Sequence, residues 1–194
     1  MRETLVGRGS VSAPRRIRRA PRTDSWRRGA GGLPPELADK LNTLPEVGDA
    51  TGIQIGFSRI NTKSAILTVV DPKLVGSVFD LQFVSGKPND RTSDGILVSK
   101  TRADSDKLVM GNTIDVTLID GKSHGLTVQG IYTKKEMAGA YNSSNALYAA
   151  SGADTLHFAV YATKAPGVSD PAARAATLLT ARSIVRQVRW SGQT

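Results

Sequence analysis

Cysteine is absent from the 194 residues, and histidine occurs only at positions 124 and 157. Without thiols there is no disulfide framework, no thiolate nucleophile and no cysteine-based zinc or iron–sulfur site. Two histidines exclude a histidine-rich metal centre. Aromatic residues make up 5% of the chain, too few for an extended base-stacking platform. Long apolar runs are missing as well. The longest, Ala65-Ile66-Leu67-Thr68-Val69-Val70, suits a buried strand and falls far short of the ~20 residues that cross a bilayer. No apolar core of about 7–15 residues follows the N-terminal charges, so the start of the chain does not read as a secretory signal. Its paired arginines also lack the hydrophobic run of a twin-arginine signal.

What the chain does have is positive charge, unevenly placed. Lys and Arg number 26 against 17 Asp and Glu, a net +9. Residues 1–32 carry +7, residues 171–194 carry +4, and the body between them carries −2. Three segments follow: an Arg-rich leader over 1–32, an α+β domain over 33–170, and a C-terminal amphipathic helix and tail over 171–194. The leader is rich in Arg, Gly, Ser and Pro and cannot bury enough surface to offset chain entropy, so it is expected to be disordered. Its composition weakly matches an organelle transit peptide. A whole-chain pI near ten suggests a small basic protein that binds nucleic acid or an anionic surface through its Arg-rich termini. The near-neutral body argues against nucleic acid as the partner.

The body reads as strands interleaved with short helices. Leu33 to Leu41 is helical, with prolines in the first turn and Leu37, Leu41 and Leu44 sharing a face. Gly52 to Phe57 alternates as a half-buried strand does, and Ser64 to Val70 forms a second strand after a turn at 61–63. Asp71-Pro72 opens a helical turn through Phe79, and Leu81 to Val84 alternates again. Gly95 to Val98 is a third apolar run, after which Ser99 caps a helix through Leu108. Ile114 to Leu118, the Asp120-Gly121 turn and Leu126 to Val128 predict a β-hairpin, with Gly130 marking a bulge. Ser143 or Ser144 caps a helix through Ala150, and Leu156 to Tyr161 is a late strand. Asp170-Pro171 starts a last helix in which Leu178, Ala181, Ile184, Val185 and Val188 fall within one arc, with Arg182, Arg186 and Arg189 beside it. The fold class is α+β, a single mixed or antiparallel sheet with short packing helices.

Motifs of chemistry are missing at each place they could stand. Gly121-Lys122-Ser123 has the end of a phosphate-binding loop, but Val116 stands where that motif needs glycine and no helix follows. Gly86-Lys87 runs into Pro88 and is a turn. His124 adjoins a hairpin turn and is expected to be exposed; His157 lies in an apolar strand as a satisfied structural residue. Asp90, Asp94, Asp104 and Asp106 lack the spacing of a calcium loop. No serine sits in a nucleophile elbow. The expectation is therefore no enzyme, no catalytic, cofactor-binding or metal residues, and no cofactor.

The order of elements is more specific than any one of them. Leu44-Pro45-Glu46-Val47, then Val69-Val70-Asp71-Pro72, then Gly95-Ile96-Leu97-Val98-Ser99-Lys100 occur in series. Leu108-Val109-Met110-Gly111-Asn112-Thr113-Ile114-Asp115-Val116 and Val128-Gln129-Gly130-Ile131-Tyr132 complete it. The series resembles the extracytoplasmic, MacB-like periplasmic core domain of FtsX-like ABC transporter permeases, of actinobacterial type, over roughly residues 33–175. The resemblance implies a non-catalytic domain on the outer face of the cell membrane that couples substrate or partner contact to transport. It also implies as partners the permease's own membrane helices, a separate ABC ATPase subunit and an accessory extracytoplasmic protein. The family places a membrane helix before the domain and several after it, which this sequence lacks, so a truncated or fragmentary permease is expected.

Overall fold

The long strand β2 (Val47–Ile60) and β3 (Lys63–Val70) form a hairpin around which the other elements gather. Its two-residue turn places Asn61 at φ 45° and Thr62 at φ 74°, the two positive values that a tight primed turn requires. Asparagine tolerates that region; β-branched Thr62 is strained there. The Asn61 N–H donates to the Asp115 carbonyl at 3.0 Å, and the Asp115 N–H donates to Asn61 Oδ1 at 3.3 Å, which holds the turn in place. The structure, a computed structural model, describes residues 5–7, 32–87 and 92–191.

The remaining strands are β1 (Leu5–Gly7), β4 (Phe83–Gly86), β5 (Gly95–Ser99), β6 (Thr113–Thr117), β7 (Ser123–Tyr132), β8 (Tyr141–Ser144) and β9 (Ala159–Lys164). They form one mixed sheet in the order β1-β9-β2-β3-β8-β5-β7-β4. Strand β6 lies off this path and pairs with both β7 and β2. Strands β2, β3, β8, β5, β7 and β6 are thereby linked in a closed ring. All six contribute to one buried cluster, from Ile60, Leu67 and Val69 through Ile96, Val98 and Tyr141 to Ile114, Val116 and Leu126. Each fully buried Leu or Ile in such a cluster contributes about 1.5–3 kcal/mol.

Short helices cover the sheet: α1 (Glu36–Leu41), α2 (Val75–Val78), α3 (Lys100–Asp106), α4 (Lys135–Ala138), α5 (Asn145–Ala150) and the long α6 (Asp170–Ser191). Ser99 Oγ accepts the Arg102 N–H at 3.4 Å to cap α3, and Ser144 Oγ accepts the Leu147 N–H at 3.2 Å to cap α5. A second cluster, on the other side of the sheet, joins Ile53, Val70, Leu97 and Tyr132 to Val75, Val78 and Phe79 of α2 and its exit. A third packs Leu37 and Leu41 of α1 and Ile184 of α6 on Val47, Ala50, Val160 and Ala162.

Several sequence expectations are shifted. Strand β8, Tyr-Asn-Ser-Ser and wholly buried, carries no hydropathy signal in the sequence. The late strand begins at Ala159 because His157 is taken by a backbone bridge to Leu33. Helix α3 ends at Asp106, where Lys107 turns left-handed at φ 56°. The expected bulge is present: β7 skips Gln129 in its register with β5, next to Gly130. A Cβ on Gly130 would lie 2.7 Å from the Phe83 ring and 2.8 Å from a Leu97 methyl, so a larger residue there would have to displace those side chains. In α6, Leu178 of the expected apolar arc is 53% exposed, and the small residue Ala173 is buried instead with Ile184. Within the leader expected to be disordered, Leu5–Gly7 pairs antiparallel with β9. Val185, Val188, Arg186 and Arg189 have side chains outside the described set, as do residues 8–31 in full.

Candidate interaction surface

From Ile55 onward β2 alternates, but with its sides reversed from what hydropathy suggests. Gly56, Ser58 and Ile60 turn to the buried side, while Ile55, Phe57 and Arg59 face outward. One contributor sits on α5. A Cβ on Gly56 would lie 2.6 Å from the Tyr148 ring, so a larger residue on the inner side would have to displace that ring. Ser58 satisfies itself by donating from Oγ to the Ala65 carbonyl at 3.2 Å.

Across the hairpin Phe57 stands opposite Ile66, Arg59 opposite Ser64, and Ile55 opposite Thr68. Thr117 of β6 flanks Arg59 on its other side. Phe57 is 79% exposed and Ile66 57% exposed. With Arg59, Ser64, Thr117 and Leu118 they line a shallow open groove of about 450 Å³. Among the described residues the Arg59 guanidinium hydrogen-bonds only the Thr62 carbonyl, at 3.5 Å. Residues 50–70 contain Arg59 and Lys63 and not one acid. Apolar side chains, a guanidinium and hydroxyls equip this surface for non-covalent contact. In the sequence the same residues have the pattern of an ordinary half-buried strand. The acid-free stretch was the one available signal.

The residues singled out for chemistry are scattered. Asp104 pairs with Lys100, while Asp106 lies 3.6 Å from Arg102 and accepts from the Tyr141 hydroxyl at 2.9 Å. Burial, then that hydrogen bond, pushes Tyr141 up to about 12. Asp94 accepts from the Thr92 hydroxyl, which lowers its carboxyl, and Asp90 lies outside the described residues. Gly121, at φ 76°, sits in the β6–β7 turn. His124 is half-buried rather than exposed, with a buried Nε2 that has no hydrogen-bond partner among the described residues. His157 is half-buried against Gly52, and its Nδ1 likewise lacks a partner, so it is not the fully satisfied histidine expected. Burial lowers its pKa, opposed by the charges of Asp39 and Glu36. Among the described residues no group of three or more His, Asp or Glu could hold a metal ion.

Solved structures share this architecture. The periplasmic region of MacB from Actinobacillus actinomycetemcomitans matches at TM-score 0.60 and 12% identity, over 85% of this chain and 87% of that one. A domain described as part of a permease protein from Porphyromonas gingivalis matches at TM-score 0.54 and 16% identity, over 79% and 78%. The extracellular domain of the noncanonic ABC-type transporter YknZ from Gram-positive bacteria matches at TM-score 0.52 and 12% identity, over 73% and 78%. No family model and no curated protein matches the sequence. The fold is thus one found in periplasmic and extracellular domains of ABC transporter permeases. No helix among the described residues is long and apolar enough to cross a membrane.

Proposed function

We propose that this chain is a non-catalytic extracytoplasmic domain of an ABC transporter permease, coupling substrate or partner contact to transport. The observation that carries the reading is the fold shared with the MacB periplasmic region over 85% of the chain. The closed strand ring supports a mechanical role, because closure ties β2, β3, β8, β5, β7 and β6 into one hydrogen-bonded unit. Helices α1 and α6 support it too. They flank strands β2–β9 in sequence, yet Ile184 of α6 packs with Leu37 and Leu41 of α1. Movement imposed on one is passed directly to the other. Membrane helices and an ATPase subunit complete such a system, and an accessory extracytoplasmic protein is a further partner.

The test uses the absence of native thiols. An exposed Ser123→Cys variant gives a single label site. A membrane-impermeant maleimide should label it on intact cells, and the chain should co-purify with a membrane ABC ATPase in mild detergent. Labelling only after lysis would remove the reading.

A further inference from the structure

The outward groups of the hairpin follow from its turn. A two-residue primed turn makes Ile60–Lys63 a hydrogen-bonded pair, and the pairs alternate from there. Ser58–Ala65 and Gly56–Leu67 therefore exchange hydrogen bonds, whereas Arg59–Ser64 and Phe57–Ile66 do not. The N–H and C=O of Ser64 and Ile66 point away from β2. Strand β8 takes up the outer side of β3 only over Thr68–Val70. Among the described residues no strand pairs with that side over Lys63–Leu67. Folded proteins normally blunt such an edge with proline, a bulge, charged residues or an inward charge. Here the register is unbroken, β3 holds no proline and one charged residue, Lys63, and the outward face carries Ile66 beside Phe57.

We propose that the outer edge of β3 at Ser64–Ile66 accepts an extended, acidic segment of a partner protein as an added strand. One apolar side chain of that segment seats on Phe57 and Ile66, and its carboxylates face Arg59 and Lys63. Strand addition gives the open N–H and C=O groups partners and leaves specificity to alternate side chains. Charge selects the occupant: residues 50–70 of the hairpin bear Arg59 and Lys63 and no acid, and Asp115 of β6 adjoins it at the Asn61 turn, away from Ile66. A second copy of this chain would bring the same two cations against them, which opposes self-pairing. A lipid surface would leave the edge amides unsatisfied in hydrocarbon. This edge is read from the hairpin alone, so its failure and that of the permease reading are separable: Ser123 labelling reports the compartment, peptide binding the edge.

The experiment titrates the ¹⁵N-labelled protein with the peptide Glu-Val-Thr-Val-Glu-Val and, separately, with Lys-Val-Thr-Val-Lys-Val. The acidic peptide should bind about tenfold tighter and shift the Ser64 and Ile66 amides first. The double variant Arg59→Glu, Lys63→Glu, altered only at exposed positions, should reverse that preference. Ile66→Pro removes an outward N–H and should abolish binding, while the inward amides of Gly56 and Ser58 stay protected from exchange. Equal binding of the two peptides, or no shift at millimolar peptide, overturns the proposal. So does dimerisation in sedimentation that Ile66→Pro abolishes, or co-sedimentation of the protein with phosphatidylglycerol vesicles.

Discussion

Ile66 and Leu67 are neighbours of similar hydrophobicity, and the structure assigns them opposite consequences. Leu67 is 0% exposed within the ring cluster, whereas Ile66 faces solvent. Leu67→Ala removes three buried heavy atoms from a packed interior and leaves a cavity, a change that costs about 2–5 kcal/mol. For a domain of this size each kcal/mol moves Tm by about 2–4 °C, so the variant should melt roughly 5–20 °C lower. Ile66→Thr keeps the β-branched shape that a strand prefers and loses little burial, so it should stay within about 0.5 kcal/mol of the parent. Phe57→Thr should behave like Ile66→Thr. Urea unfolding followed by far-UV circular dichroism measures all three at unchanged m-value. If Ile66→Thr or Phe57→Thr costs as much as Leu67→Ala, the hairpin is packed on both sides and the reversed alternation is wrong.

Three further outcomes are expected. Gly52→Ala would place a Cβ 2.0 Å from the His157 ring, so that ring must move. Amide exchange should then accelerate at Leu33 and His157, whose bridge it supports. Because burial lowers the His157 pKa below 6.5, the unfolded chain takes up its proton first as pH falls. The contribution of neutral His157 is therefore complete above 6.5 and lost as pH drops through the folded value. The fall in urea midpoint between neutral and mildly acid pH should shrink in His157→Gln. Ser144→Ala deletes both the α5 cap and a 3.0 Å bond to the Ser93 carbonyl, and should cost about 1–3 kcal/mol by chemical denaturation.

Much of the scaffold was legible because local chemistry dictates it. Asp120-Gly121 with flanking alternation specified the β6–β7 hairpin, Asp170-Pro171 the start of α6, Ser99 the cap of α3, and Ser143 or Ser144 the cap of α5, of which the structure uses Ser144. These signals depend on residues a few positions apart, so the chain alone carries them. Sequence order, read as a series, also anticipated the fold shared with the MacB and YknZ domains. Strand β8 was not legible: its Tyr-Asn-Ser-Ser becomes a central buried strand only because β3 and β5 supply pairing on both sides. The outward side of the hairpin was decided in the same way. Alternation fixes that Phe57 and Gly56 lie on opposite faces, but not which face is the core. That choice is made by packing with distant elements, among them a Tyr148 ring 92 positions away that lies against Gly56 on the inner face. Periodicity is local and belongs to the sequence; inside and outside exist only once distant elements have packed.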